Sequence, residues 1–190
     1  MKNIKSQNKR FIVFFVSLFA VLLLPLSSAY PKDVKLDNQF KSLGIIRLAG
    51  IAPPAGHDFF DMDGKLLRLS DFKGKIVLLN FWTTWCPECV YEMPIFEKLH
   101  KKINNKGLII LAVDLKESQS KVIKFIKKHK ITFKIAMNKK GDMGRAFGIR
   151  SIPTTFILNR EGGLIGRAMG ARRWDSQKSI DLFEYLLKNF

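Results

Sequence analysis

The sequence predicts an α/β domain of three layers, with helices on both faces of a mixed sheet. Three observations carry this reading. Short apolar runs rich in branched residues alternate with stretches of helical spacing. A hairpin signal lies at each end of that alternation. And one apolar run, Ile76 to Phe81, leads directly into Cys86-Pro87-Glu88-Cys89 at the expected start of a helix.

Residues 1–10 are basic and polar, and from Phe11 to Leu24 every residue but Ser17 is apolar, ahead of Ser27-Ser28-Ala29. A basic stretch, an apolar stretch and a small-x-small end describe an export signal, so the domain is expected outside the cytoplasm. The apolar run falls short of the ~20 residues that span a bilayer. Two readings therefore stay open for residues 1–29: a signal peptide cleaved after Ala29, or an anchor giving membrane association through residues 11–26. No cysteine follows the apolar run, which excludes a lipoprotein. Residues 30–50 show no sustained period and read as a linker with one short strand, which places the folded domain at 51–190.

Ala52-Pro53-Pro54-Ala55-Gly56 marks the domain entrance, and Asp58 to Leu69 reads as two short strands around the turn signal Asp63-Gly64. Ile76 to Phe81 is a strand buried on both faces. The following helix carries Val90, Met93, Phe96 and Leu99 at three-residue spacing, with Pro94 expected to kink it without ending it. Leu108 to Val113 is a second buried strand. Ser118 or Ser120 caps a helix with Val122, Phe125, Ile126 and His129 on one face. Phe133 to Ala136 is a third central strand, and Asp142 to Phe147 a short helix ended by Gly148. Thr154 to Leu158 and Leu164 to Met169 form a hairpin across Asn159 to Gly163. A closing helix from about Asp175 turns Ile180, Phe183, Leu186 and Leu187 to the core.

With 190 residues and 21.8 kDa the chain has room for one domain with a sizeable core plus an extension. The formal charge is +17. Basic residues are spread through every helix and no basic run is interleaved with exposed aromatics. That pattern speaks against a nucleic-acid partner and for solvated lysine faces or attraction to anionic headgroups. There are two cysteines, both in the one motif, so no structural disulfide is available beside it.

A thiol at a helix N-terminus faces unpaired backbone N–H groups and the positive end of the helix dipole, which favour thiolate. Two intervening residues let the second sulfur reach the first within one turn. The pair can cycle between dithiol and disulfide through a mixed disulfide with a partner.

The run Asn80-Phe81-Trp82-Thr83-Thr84-Trp85-Cys86-Pro87-Glu88-Cys89, then Glu92-Met93-Pro94, then Phe147-Gly148-Ile149-Arg150-Ser151-Ile152-Pro153-Thr154-Thr155-Phe156, resembles the thioredoxin fold. Specifically, it resembles the TlpA/ResA-like branch of exported bacterial thiol–disulfide oxidoreductases, from about residue 51 to the end. The resemblance implies a thioredoxin-like three-layer fold with a mixed central sheet, an added N-terminal hairpin and a helix–strand insert, fitted by Ser118 to Ala136, before a cis-proline at Pro153. Cys86 is then the nucleophile and Cys89 the resolving thiol. Glu92, three residues after Cys89, is the carboxylate that tunes the thiols or relays a proton. Asn80 stands where thioredoxin has a buried aspartate, so the proton acceptor is Glu92 or water. Trp85, Pro87, Ile152 and Pro153 form the substrate-binding surface, while Trp82 is core. Thr83 resembles the T-x-x-C of peroxiredoxins, but Leu79 stands where that motif has proline.

The expected activity is reduction of disulfides in client proteins, with a membrane thiol donor recharging the pair and cytochrome c maturation as the client process. No cofactor or metal is expected beyond the redox-active pair, and His57, His100 and His129 have no assigned role. Two rivals remain: a Cu(I)-handling protein, since soft thiolates select Cu(I), and a non-enzymatic scaffold.

Overall fold

The computed structural model describes residues 33–55, 59–103 and 106–190, so the segment expected to direct export and His57 lie outside the described residues. Between Asp33 and Ile51, where a linker was expected, the chain is ordered. Helix α1, Val34–Ser42, is capped by Asp33, whose Oδ1 accepts from the Leu36 N–H at 3.0 Å. Its Leu36 and Phe40 are fully buried. Strand β1, Ile46–Ile51, then pairs antiparallel at the sheet edge. Leu36 and Phe40 one turn apart, with Val34 exposed off that face and polar residues elsewhere, make a weak periodic signal. What orders the helix is the surface it meets: each buried side chain contributes about 1.5–3 kcal/mol.

The remaining elements follow the expected order. Strands β2, Phe59–Asp61, and β3, Leu66–Leu67, form the first hairpin, followed by a 3-10 turn over Leu69–Phe72. Then come β4, Ile76–Trp82; α2, Pro87–Ile103; β5, Leu108–Leu115; α3, Gln119–His129; and β6, Lys134–Asn138. The chain closes with α4, Asp142–Ala146; β7, Thr154–Leu158; β8, Leu164–Met169; and α5, Gln177–Asn189. Helix α2 continues through Pro94 to Ile103.

The eight strands make one sheet in the order β1-β8-β7-β4-β5-β6-β2-β3. The β4–β5 and β5–β6 pairs are parallel and the other pairs antiparallel. All seven residues of β4 are buried, as a central strand covered on both faces requires. Its even-numbered side chains Ile76, Leu78 and Trp82 join a core built with α1, α2, α3 and α5. Its odd-numbered Val77, Leu79 and Phe81 pack with α4, the 3-10 turn and the first hairpin. Three layers result, as expected. Helix α3 and strand β6 are the helix–strand insert, and β2 pairs onto β6, so the N-terminal hairpin extends the sheet beyond it.

Candidate active site

Strand β4 ends at Trp82, and Thr83 to Cys86 turn the chain into α2, which begins at Pro87. The two sulfurs are joined as a Cys86–Cys89 disulfide. Cys86 Sγ accepts from the Cys89 backbone N–H at 3.3 Å, one of the unpaired donors of a helix start. Both cysteines are almost wholly buried, whereas Trp85 beside them is 69% exposed. Pro87 is exposed at the first position of the helix, where its missing N–H costs nothing.

The Ile152–Pro153 peptide bond is cis. The Ile152 carbonyl oxygen lies 3.6 Å from Cys86 Sγ. The Pro153 carbonyl accepts from the Gly170 N–H at 2.8 Å, tying the start of β7 to the end of β8. Gly170 has φ +78°, and a Cβ there would stand 3.5 Å from Glu88 Oε2 and 3.6 Å from Arg172 Nη1. The position demands glycine, and it shows that the Glu88 carboxylate and the Arg172 guanidinium occupy neighbouring ground beside the motif. Met169, 45% exposed, lies next to it.

Glu92 is buried, not the exposed helix residue its sequence neighbours would suggest. Its Oε1 accepts from the Trp174 indole N–H at 2.6 Å and from the Arg172 backbone N–H at 2.9 Å. Its Oε2 accepts from Asn80 Nδ2 at 3.3 Å. Burial raises its pKa to about 7, against the pull of the Trp174, Arg172 and Asn80 donors. Asn80 also donates to Thr155 Oγ1 at 3.0 Å. Arg172 in turn donates from Nε to the Leu43 carbonyl at 3.1 Å and from Nη2 to Gly44 at 3.3 Å, linking the end of α1 to the loop that holds Glu92.

Trp82 is core, its ring 5.0 Å from that of Phe125. The His129 ring stacks on Phe125 at 4.2 Å, and His100 lies edge-on to Phe133 at 6.2 Å. Among the described residues no group of three or more His, Cys, Asp or Glu is placed to hold a metal ion. The structure thus brings Cys86, Cys89, Ile152 and Pro153 together, with Glu92 one helical turn behind Cys89. It adds Trp174, Arg172 and Thr155, which sequence reasoning missed. Of these, only Trp174 carried a signal, as a lone tryptophan in the charged run Arg172-Arg173-Trp174-Asp175.

The sequence pattern of the AhpC/TSA family matches residues 51–166 of the chain. The chain belongs to this family. Its relatives include the thiol–disulfide oxidoreductase ResA of Bacillus thuringiensis, 38% identical over 128 residues, covering 67% of this chain and 71% of that one. ResA of Geobacillus thermodenitrificans is 38% identical over 144 residues, covering 75% and 80%. Among solved structures, StoA of Bacillus subtilis superposes with a TM-score of 0.58 at 31% identity, covering 67% of this chain and 96% of that one. A thioredoxin-family thiol:disulfide interchange protein of Chlorobium tepidum superposes with a TM-score of 0.62 at 24% identity, covering 75% and 99%, a likeness of fold. This AhpC/TSA-family chain is a thiol–disulfide oxidoreductase of the thioredoxin fold, and it carries a Cys-x-x-Cys pair, Cys86 and Cys89, joined as a disulfide.

Proposed function

We propose that the protein is an exported reductant of disulfides in client proteins of the cell envelope, working through Cys86 as nucleophile and Cys89 as resolving thiol. The observation that supports this best is the placement of Cys86 Sγ at the start of α2, 3.6 Å from the Ile152 carbonyl beside cis-Pro153. An extended client segment laid along Ile152, between exposed Trp85, Pro87 and Met169, would meet that sulfur first.

In the reduced protein, the Cys86 thiolate attacks one sulfur of the client disulfide. The client S–S bond breaks, its other sulfur leaves as thiolate and takes a proton, and a mixed disulfide forms. Glu92 then accepts the Cys89 proton, a task suited to a carboxyl whose pKa lies near 7. The Cys89 thiolate attacks Cys86 Sγ, closing the Cys86–Cys89 disulfide and releasing the second client thiolate. Two electrons pass from protein to client. A dithiol donor at the membrane returns them by the reverse exchange. Glu88 and Arg172 bring opposite charges to the same flank of the motif, so neither sign dominates at the helix start, consistent with a moderately reducing couple. Cytochrome c maturation is the client process we favour, and the apolar stretch at 11–26 would export or tether the domain.

Equilibration of the full chain with glutathione or dithiothreitol buffers tests the direction. A potential near or below the ~−270 mV of thioredoxin supports reduction; one near the ~−120 mV of a strong oxidant overturns it.

A further inference from the structure

A second pair of acids lies beside the active-site turn. Asp114, at the end of β5, pairs in register with Trp82 at the end of β4 and is fully buried. Its Oδ1 accepts from the Glu117 backbone N–H at 3.0 Å. Between them Lys116 adopts φ +69°, a left-handed conformation uncommon for a residue with a Cβ. The strained turn aims the Glu117 carboxylate at the turn before α2. There it accepts both the backbone N–H of Thr84 and, at 2.8 Å, the Thr84 hydroxyl. Thr84 is two residues before Cys86.

The Asp114 carboxyl also faces the Glu117 carboxyl. Among the described residues no N–H or O–H donor reaches Asp114 Oδ2. Two ionised carboxylates offer only acceptors to each other. A proton held on Asp114 resolves both facts, because its O–H then donates to Glu117 and leaves the orphaned oxygen satisfied. The surroundings agree. Burial, then the facing Glu117, push Asp114 well above the usual carboxylate range. Burial raises Glu117 too, but the Thr84 N–H, the Asp114 carboxyl, the Thr84 hydroxyl and the Lys121 ammonium outweigh it and hold Glu117 ionised. Thr84 from the β4–α2 turn and Lys121 from α3 are the groups that face the pair.

We propose that Glu117, backed by a protonated Asp114, is a positioning residue that clasps Thr84 and so holds the turn that presents Cys86. The clasp acts on Thr84, not on substrate, and its effect on reaction rests on Cys86 being the attacking sulfur. Its existence does not rest on that.

The oxidised full chain, in which neither cysteine titrates, provides the first test. The Thr84 amide resonance should shift as Asp114 loses its proton at or above neutral pH. Asp114→Asn, whose amide still donates to Glu117 and whose oxygen still accepts from the Glu117 N–H, should abolish that shift while keeping the low-pH position. A Thr84 resonance that is flat with pH, or that moves equally in Asp114→Asn, overturns the proposal. The second test is the rate of Cys86 alkylation in the reduced protein against pH. Asp114→Asn should match the parent at neutral pH. Thr84→Val, which loses one of the two bonds without touching a charge, should change the rate on the order of five-fold. Unchanged alkylation in Thr84→Val overturns the role in presenting Cys86 even where the amide titration stands. Thr84→Val alters a half-buried turn residue, so its reading does not depend on the buried acid tolerating replacement.

Discussion

The indole N–H of Trp174 donates to Glu92 Oε1 at 2.6 Å, across a sequence separation of 82 residues. The bond joins the loop before the last helix to α2, the helix that carries Cys89 and begins directly after Cys86. Because the Trp174 ring also stacks on Phe96, with centroids 5.7 Å apart and planes 15° from parallel, the donor is held by packing as well as by its partner. Trp174→Phe should keep the stack and lose the donor. The ionised form of Glu92 then loses a charge-assisted bond of about 1.5–3 kcal/mol, and its pKa rises above 7. Denaturant titrations of parent and variant at pH 5 and pH 8 check this. The variant should lose more stability at pH 8, and an equal loss at both would sink the assignment.

Glu92 itself makes stability depend on pH. Its pKa is raised from 4.5 to about 7 by burial, so between those values the folded protein keeps a proton that the unfolded chain has released. Stability therefore falls as pH rises through that window and levels off above it. Glu92→Gln has no such slope. It should be more stable than the parent at pH 8 by up to about 3 kcal/mol and nearly equal at pH 4. The Asn80 amide, whose Oδ1 has no partner among the described residues, can turn to accept from the new amide. The same variant should slow resolution of the mixed disulfide around neutral pH. A Glu92→Gln protein with the parent's pH–stability curve would show that the carboxyl is not the titrating group.

The two cysteines should separate cleanly on substitution. With Cys89→Ser, Cys86 attacks but nothing expels the partner, so a mixed disulfide with glutathione or client accumulates. With Cys86→Ser, none forms and turnover is lost. Mass spectrometry of the two variants after incubation with oxidised glutathione checks the assignment, and adduct on Cys86→Ser alone would reverse it.

Helix α1 is part of the domain, so Phe40→Ala should cost about 3–5 kcal/mol. A Cβ on Gly166 would come within 3.0 Å of the Phe40 ring, a measure of how closely the ring lies on β8. Thermal unfolding compares the variant with the parent. A loss below about 1 kcal/mol would mean that α1 behaves as the linker its sequence suggests.

Most of the central architecture was legible because its signals are local. The apolar run of β4 and the spacing of Cys86 and Cys89 are contained within a few residues, as is the Ile152-Pro153-Thr154 run. Helix α1 was missed because its two buried side chains are ordered by the sheet they cover, and nothing in 30–50 states that a sheet lies beneath. The same holds for the buried setting of Glu92. An acid in the second turn of a lysine-rich helix reads as exposed until the loop at 172–174 folds over it.

From the chain alone follow the thiol pair, its place at a helix start and the mixed sheet behind it, since each is a matter of residue type and short spacing; the proline facing the pair came from the family resemblance of the Ile152-Pro153-Thr154 run. The tertiary structure decided what surrounds the acids beside the motif and in what state they are held. Glu92 meets its donors across separations of 80 and 82 residues, and Thr84 meets Glu117 across 33. A carboxyl's protonation depends on what surrounds it, and only the folded chain supplies those surroundings.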